Sequence, residues 1–339
     1  MNDLATRARG GMVTSLFKVS DYLSNAGHIV TVFASIKEPG KTAAGTVWFN
    51  PDDVIRQTAP QQDVLVCNRG TWDGHPWIKA HKRILWAHDL PHNGFIPEPK
   101  TIKAFAATVF MSQYAERIWR TFYPTIGKSF MIPNGVDKTL FFPRPKVPGF
   151  MIYASAPNRG LKKLPLIYEA VKSRVKAPVS MLAFSNLKAQ HPNEVRGDDD
   201  GFGEDYKSCE EAGITLRDPV PQPKLAQYLG GAELMIFPTD YPEICSNSIL
   251  QSLASGTPVI TTGNMGATCE WVKDGRNGLL TKFHPHDYMI YTLEMVRNAV
   301  KVLENKKLLA KLSGGAAKTK IYTWEEIGHQ WEKMLNRCI

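Results

Sequence analysis

Cysteine is scarce and scattered: Cys67, Cys209, Cys245, Cys269 and Cys338 form no CxxC pair. An odd count at such wide spacing excludes a disulfide framework and offers no metal-ligand pattern, so reduced thiols of a cytosolic protein are expected. Long apolar runs are also missing: no stretch reaches the roughly 18 residues of a membrane-spanning helix. Met1–Gly11 (MNDLATRARGG) lacks the apolar core of a secretory signal. The chain is therefore expected to be cytoplasmic, with no transmembrane segment. No block of about five or more Lys/Arg stands out, which leaves no visible nucleic-acid arm.

What is present describes an ordinary globular protein. The chain has 339 residues, 43% hydrophobic and 22% charged; this excludes intrinsic disorder and exceeds what one hydrophobic core usually serves, so two domains are expected. Its formal net charge is +9. Such a surface attracts anions, and nucleotide sugars, DNA and acidic membranes all qualify, the last as peripheral contact at the inner membrane face.

Short β-rich runs alternate with helical patterns, the mark of an α/β fold of βαβ units and parallel sheets. Strands are expected near His28–Ala34, Thr46–Phe49, Asp63–Cys67, Arg83–Ala87, Ala107–Met111 and Ser129–Ile132, with helices at Met12–Asn25 and Gln113–Thr121. Ala26-Gly27 ends the first helix where a left-handed glycine is expected. Phe141–Gly149 (FFPRPKVPG) packs three prolines and a glycine into nine residues and reads as a linker. The expected domains are thus 1–146 and 147–320, with 321–339 a C-terminal helix returning to the first.

In the second domain the strands are expected at Phe150–Ala154, Val179–Phe184, Ile214–Leu216, Glu233–Phe237 and Pro258–Thr261. The expected helices are Lys162–Lys176, Gly203–Ala212, Pro223–Leu229, Ser246–Ala254, Ala267–Lys273, Asp287–Glu304 and Trp324–Leu335. Two doubly wound, Rossmann-like domains facing a central cleft follow from this order. One segment does not fit: a first domain of this kind normally opens on a strand, yet residues 1–11 carry no apolar run, so either the chain is trimmed or its opening strand has been lost.

The stretch Phe237–Gly256 (FPTDYPEICSNSILQSLASG) sets Glu243 and a Ser-Asn-Ser cluster after a strand and before an apolar-faced helix. Helix-start N–H groups with the helix dipole suit a phosphate, and a carboxylate suits vicinal hydroxyls. Ser246 or Ser248 serves equally well as a plain N-cap. His88 follows the RILWA strand at its carboxyl end, where sites gather in open α/β sheets, with Asp89 and His92 as polar neighbours. Asp-rich GDDDG (Gly197–Gly201) lies in a polar Gly-rich loop and reads as solvated charge, not a metal motif.

These segments together resemble the family 4 (group 1) glycosyltransferases of the GT-B fold. Their pattern of Glu, seven residues, Glu, then a Gly-x-Pro-Val strand is matched by Glu243 and GTPVITT (Gly256–Thr262), while Gln251 stands at the second Glu. Further landmarks follow in order: Gly10-Gly11, AGH (Ala26–His28), WAHD (Trp86–Asp89), SQYAERI (Ser112–Ile118), IPNGVD (Ile132–Asp137) and DGRNGLL (Asp274–Leu280).

The resemblance implies a hexosyltransferase-like enzyme that takes a nucleoside-diphosphate sugar as co-substrate, retains anomeric configuration and needs no metal or other cofactor. Glu243 would hold hydroxyls of the transferred sugar, and Gln251 would meet the ribose, where an amide lacks a carboxylate's charge-assisted strength. Cys245, Ser246, Asn247 and Ser248 line the diphosphate side. Arg159, then Lys163, then Lys162 would neutralise the leaving group. Gly10, Gly11 and Asn134 would contact the donor, although Asn134-Gly135 reads equally as a turn. His88, Asp89 and His92 fall on the acceptor side. Acceptors compatible with this are a glycan, a glycolipid or a small molecule. The alternatives are a transferase acting on modified DNA bases, a catalytically degenerate nucleotide-sugar binder, as Gln251 suggests, and a sugar-nucleotide epimerase.

Overall fold

A computed structural model of the protein describes residues 10–34, 36, 39–51, 61–71, 78–91, 97–186 and 201–338. The opening segment 1–9, His92 and residues 197–200 of the Asp-rich loop lie outside the described residues. The chain adopts the expected α/β architecture in two units: one holds Met12–Gly135 together with Tyr322–Ile339, and the other is built on Val136–Ile321.

The first unit opens with helix α1 (Gly11–Asn25), which buries Phe17, Val19 and Leu23. Gly27 ends it with φ of 95°, and the His28 N–H closes back on the Leu23 carbonyl at 3.0 Å, the bond that satisfies an orphan carbonyl at a helix C-terminus. Strand β1 (Thr31–Phe33), β2 (Gly40–Lys41) and β3 (Val47–Phe49) form a small sheet in the order β1-β3-β2. Strand β4 (Gln62–Asn68), β5 (Ala80–Ala87), helix α2 (Pro99–Lys103), β6 (Ala107–Phe110), α3 (Gln113–Phe122) and β7 (Ser129–Met131) follow. The four strands form an all-parallel sheet in sequence order. Ser112 caps α3, its Oγ accepting from the Ala115 N–H at 3.1 Å.

The second unit contains strand β8 (Phe150–Ala154), helix α4 (Leu164–Lys172), β9 (Ser180–Phe184), α5 (Gly203–Glu211), β10 (Thr215–Arg217), α6 (Gln222–Gly231) and β11 (Leu234–Phe237). It continues with α7 (Asn247–Ala254), β12 (Val259–Thr262), α8 (Thr268–Trp271), β13 (Gly278–Thr281), α9 (Tyr288–Leu303) and α10 (Lys306–Ala317). Its six strands are all parallel, in the order β10-β9-β8-β11-β12-β13. Every residue of β11 is fully buried, as expected of a parallel strand covered by helices on both faces. The order reverses between β8 and β11, and such a switch point opens a crevice at the carboxyl ends of the two strands.

Phe141–Gly149 contains neither helix nor strand and is strapped to the second unit. The Val147 N–H donates to the Gly231 carbonyl at 2.8 Å, and Lys146 Nζ donates to the carbonyls of Gly230 at 3.0 Å and Ser255 at 3.3 Å. Burial pulls the Lys146 ammonium down to about 8.

The last helix, α11 (Trp324–Leu335), belongs to the first unit. Its start is a capping box: the Glu326 N–H donates to Thr323 Oγ1 at 3.1 Å, and the Thr323 N–H donates to Glu326 Oε2 at 2.7 Å. The stripe Trp324, Ile327, Trp331 and Leu335 packs into one core with Val19 and Leu23 of α1, Ile84 and Trp86 of β5 and Val109 of β6.

Candidate functional site

The loops that leave β8 and β11 lie at the switch point of the second sheet, and Arg159, Lys162, Lys163, Glu243, Cys245 and Ser246 stand on them. Pro157–Arg159 forms a short 3-10 turn after β8. Gly160 follows with φ of 99°, and a Cβ on it would collide with the Pro238 carbonyl oxygen of the other loop. Only glycine permits both that conformation and that approach. The result is to bring Arg159 onto Glu243: Nε donates to Oε1 at 2.8 Å, and the guanidinium lies 3.4 Å from the centre of the Tyr241 ring. The two charged side chains are only 16% and 14% exposed. In so dry a setting an ion pair and a cation–π contact are worth more than on an open surface. Arg159 Nη1 is buried without a hydrogen-bond partner.

Glu243 is held by its backbone as well as by its carboxylate. Its N–H donates to the Tyr241 carbonyl at 2.8 Å, and its own carbonyl accepts from the Ala267 N–H at 2.6 Å. The carboxylate is thereby fixed between the loops that follow β11 and β12.

Lys163 is 1% exposed and its Nζ pairs with Asp240, whose carboxylate also lies 3.7 Å from Lys162 Nζ. Burial pushes the Asp240 carboxyl up, but the hydrogen bond and charge of Lys163, with the charge of Lys162, outweigh it and hold it below its ordinary value. Lys163 thus braces the same two loops as a buried ion pair, and breaking such a pair leaves an uncompensated charge.

Helix α7 starts beside them. Ser246 is its N-cap, with Oγ accepting from the Ile249 N–H at 3.5 Å. Ser248 Oγ donates to the carbonyl of Ala154, the last residue of β8, so this hydroxyl ties the helix start to the strand. Cys245 and Ser246 are buried, Asn247 opens the helix, and Gln251 is buried one turn further on. The first N–H groups of a helix lack intrahelical partners and carry the positive end of its dipole.

The remaining residues stand on other elements, and of these Gly11 lies against Asn247: a Cβ on it would come within 3.0 Å of Asn247 Nδ2. Gly10 precedes α1 and Gly11 opens it. Asn134 is buried in the first unit, where its Oδ1 accepts from Ser15 Oγ at 2.7 Å. His88 follows β5, its ring 4.3 Å from that of Trp86, with Nε2 buried and without a partner. Asp89 forms an ion pair with Arg69, and its carbonyl accepts from Trp119 Nε1 at 2.8 Å. Burial, helped by the Arg69 charge, pulls the His88 imidazolium down to about 3.

His88 is therefore neutral near pH 7, and the linkage to stability has a definite sign. Its folded-state pKa is depressed, so its contribution is fully present above the ordinary value of 6.5 and is lost as pH falls from there towards 3. Between about pH 7.5 and pH 5 the protein should lose about 2 kcal/mol from this group alone. Urea unfolding of the native chain and of His88→Gln at the two pH values should differ by that amount. Equal acid sensitivity would exclude a buried neutral His88.

Asp240, Tyr241 and Gly160 complete the arrangement and were not singled out by sequence reasoning. Their signal was present, since Asp240 and Tyr241 lie three and two residues before Glu243 in the same post-strand segment. Among the described residues no group of three or more His, Cys, Asp or Glu side chains is placed to hold a metal ion.

Comparison with known proteins gives this arrangement a context. Residues 161–298 match the family model "Glycosyl transferases group 1"; the match includes Lys163, Glu243, Ser246–Ser248 and Gln251 and begins two residues after Arg159. A 76-residue segment is 36% identical to the D-inositol 3-phosphate glycosyltransferase of Paenarthrobacter aurescens (strain TC1), covering 22% of this chain and 18% of that relative. The chain thus matches less than a fifth of that relative's length. Sucrose-phosphate synthase from Thermosynechococcus elongatus has a similar fold, with a TM-score of 0.78 at 15% identity over 98% of this chain and 95% of its own. Anabaena HepE, solved in complex with UDP and glucose, gives a TM-score of 0.70 at 15% identity over 97% and 96%. Residues 161–298 of the second unit are thus similar to the group 1 glycosyltransferases, in a chain with the GT-B fold.

Proposed function

We propose that the protein is a metal-independent, retaining glycosyltransferase that moves a sugar from a nucleoside-diphosphate donor to an acceptor hydroxyl of a glycan, glycolipid or small molecule. The observation that carries this reading is the Arg159–Glu243 pair at the strand switch point, beside the start of α7. Departure of a nucleoside diphosphate builds negative charge that must be met as it forms. Arg159 supplies a fixed positive charge with an unused buried donor at Nη1, and a bound phosphate oxygen would satisfy it. The first turn of α7 adds oriented N–H groups and its dipole. Glu243, an acceptor of hydrogen bonds held rigidly by its backbone, suits the hydroxyls of the transferred sugar.

Positioning and electrostatics carry the rate in this scheme, so no strong base is required. His88, neutral at pH 7, contributes a hydrogen bond to the acceptor side and not a proton. That HepE was solved with UDP and glucose supports a nucleotide-sugar donor. Gln251, buried on α7, favours a second reading, a chain that binds the nucleotide without catalysis, because the ribose contact there lacks a charge.

A thermal-shift panel of UDP, GDP, ADP, dTDP and their common sugars, with and without EDTA, tests both. A ligand that binds only the folded chain raises its melting temperature, by about 2.7 kcal/mol of added stability at a hundredfold excess over Kd. One nucleotide should stabilise the chain selectively and equally well in EDTA, and its sugar should be consumed in the presence of an acceptor. Stabilisation without turnover, with turnover appearing in Gln251→Glu, would favour the noncatalytic reading. No response to any nucleotide would defeat both.

A further inference from the structure

Exposed large apolar side chains are not spread evenly over this chain. Of eleven among the described residues, five fall in one short segment: Phe283, Tyr288, Met289, Ile290 and Leu293. Met289 is 63% exposed and Leu293 55%. The segment is the approach to α9 and its first two turns, while the opposite side of the same helix buries Tyr291, Met295, Val296, Ala299 and Val302. The helix is therefore apolar on two faces, and among the described residues one of them is packed and the other exposed.

The charges around the patch decide what would cover it. Lys282 stands before it and is exposed, and Arg297 and Lys301 are exposed one and two turns further along α9. Of the acids nearby, Asp287 is exposed, while Glu294 is buried, one carboxylate oxygen accepting from the Lys282 N–H at 2.7 Å and the Phe283 N–H at 3.2 Å and the other pairing with Arg297 Nη2 at 3.4 Å, which leaves Lys282 and Lys301, among the described residues, as the cations without an acid beside them in this cluster. The exposed charge beside the apolar tip is thus mainly positive. The chain as a whole carries +9, so a second copy seated here would meet like charge, whereas an anionic surface is attracted both locally and at long range.

We propose that the exposed apolar end of α9 docks the protein on an anionic lipid surface, with Met289, Ile290 and Leu293 entering the acyl boundary and Lys282, Arg297 and Lys301 at headgroup level. An apolar edge flanked by Lys and Arg is the pattern by which helices bind in the plane of a bilayer interface, and each basic residue near an anionic leaflet adds to it. The site lies on a different element from those that carry Arg159 and Glu243 and stands independently of the catalytic reading.

Co-sedimentation of the full chain with vesicles of phosphatidylcholine, with and without phosphatidylglycerol, tests it. The chain should pellet with the phosphatidylglycerol vesicles, weakly or not at all with phosphatidylcholine alone, and less in high salt. The triple variant Met289→Gln, Ile290→Gln, Leu293→Gln should bind at least about tenfold more weakly, with an unchanged far-UV spectrum because all three side chains are exposed. Arg297→Gln with Lys301→Gln should weaken binding only to the anionic vesicles. Undiminished binding by the triple variant would overturn the proposal, as would equal binding to both vesicle types. So would a chain that ignores vesicles and sediments as a dimer that the triple variant splits.

Discussion

Arg159→Ala is expected to lower kcat by about 10²–10³-fold, with a much smaller change in KM, measured as release of nucleoside diphosphate from whichever donor stabilises the chain. The split follows from when the charge develops. In the proposed mechanism the ground-state diphosphate would already have solvent and the start of α7 around it; the additional charge on the leaving oxygen would exist only in the transition state, so an interaction with it would appear in kcat. Arg159→Lys should recover only part of the loss, since an ammonium cannot reproduce the planar guanidinium that both pairs with Glu243 and stacks on Tyr241. Glu243→Gln separates the two roles. If Arg159 served only as the structural counter-ion of Glu243, the two single variants would lose equal activity and the double variant no more. A double-mutant cycle in which the losses are instead distinct, with the KM effect concentrated in Glu243→Gln, is the expected outcome. An Arg159→Ala enzyme within a few-fold of native would refute the leaving-group assignment.

Trp331→Ala is expected to be the most destabilising substitution in the first unit. Trp331 is 1% exposed and its ring lies 4.5 Å from that of Trp86, within a core drawn from α1, β5, β6 and α11. Truncating a buried Trp to Ala costs about 3–5 kcal/mol, the lost transfer energy plus the cavity left behind. Because α11 is separated in sequence from the rest of its unit by the whole of Val136–Ile321, its docking is entirely a tertiary interaction. The loss should therefore appear in the unfolding transition of the first unit, read from its tryptophan fluorescence, while nucleotide-induced stabilisation of the second unit persists. Trp331→Phe, which leaves most of the apolar volume in place, should lose clearly less. A Trp331→Ala chain less than about 1 kcal/mol from native would mean that α11 is not part of the core.

Much of this protein was legible from its residues alone because the signals are local. Parallel strands that are covered on both faces must be continuously apolar, so LMIF in β11 and FMIYA in β8 announce themselves. Helices with one buried face carry a period that a short window reveals, as in α3 and in α11, whose expected and observed bounds coincide. The elements that escaped notice are those in which a local rule was overridden. Helix α10 contains Gly314-Gly315, which reads as a break; yet a Cβ on Gly315 would collide with the Arg276 carbonyl oxygen, so the glycine is there to let the helix approach that loop. Strand β13 hides in a glycine-containing segment and acquires its identity by pairing with β12.

The site divides in the same way. The order of residue types after β11, an acid, then small polar residues, then an apolar-faced helix, was determined by the sequence, and the proposed contacts with sugar hydroxyls and phosphate rest on it. The sequence likewise determined the charge, the α/β class and the helix caps, because each depends on neighbours within a few residues. Only the tertiary structure decided that Arg159 lies on Glu243, 84 residues away, and that Lys163 is committed to Asp240. It also left His88 neutral in a dry setting and one face of α9 exposed. These depend on which strands become neighbours at the sheet's switch point and on what each side chain is desolvated against. Both are set by packing between distant segments, which no local pattern records.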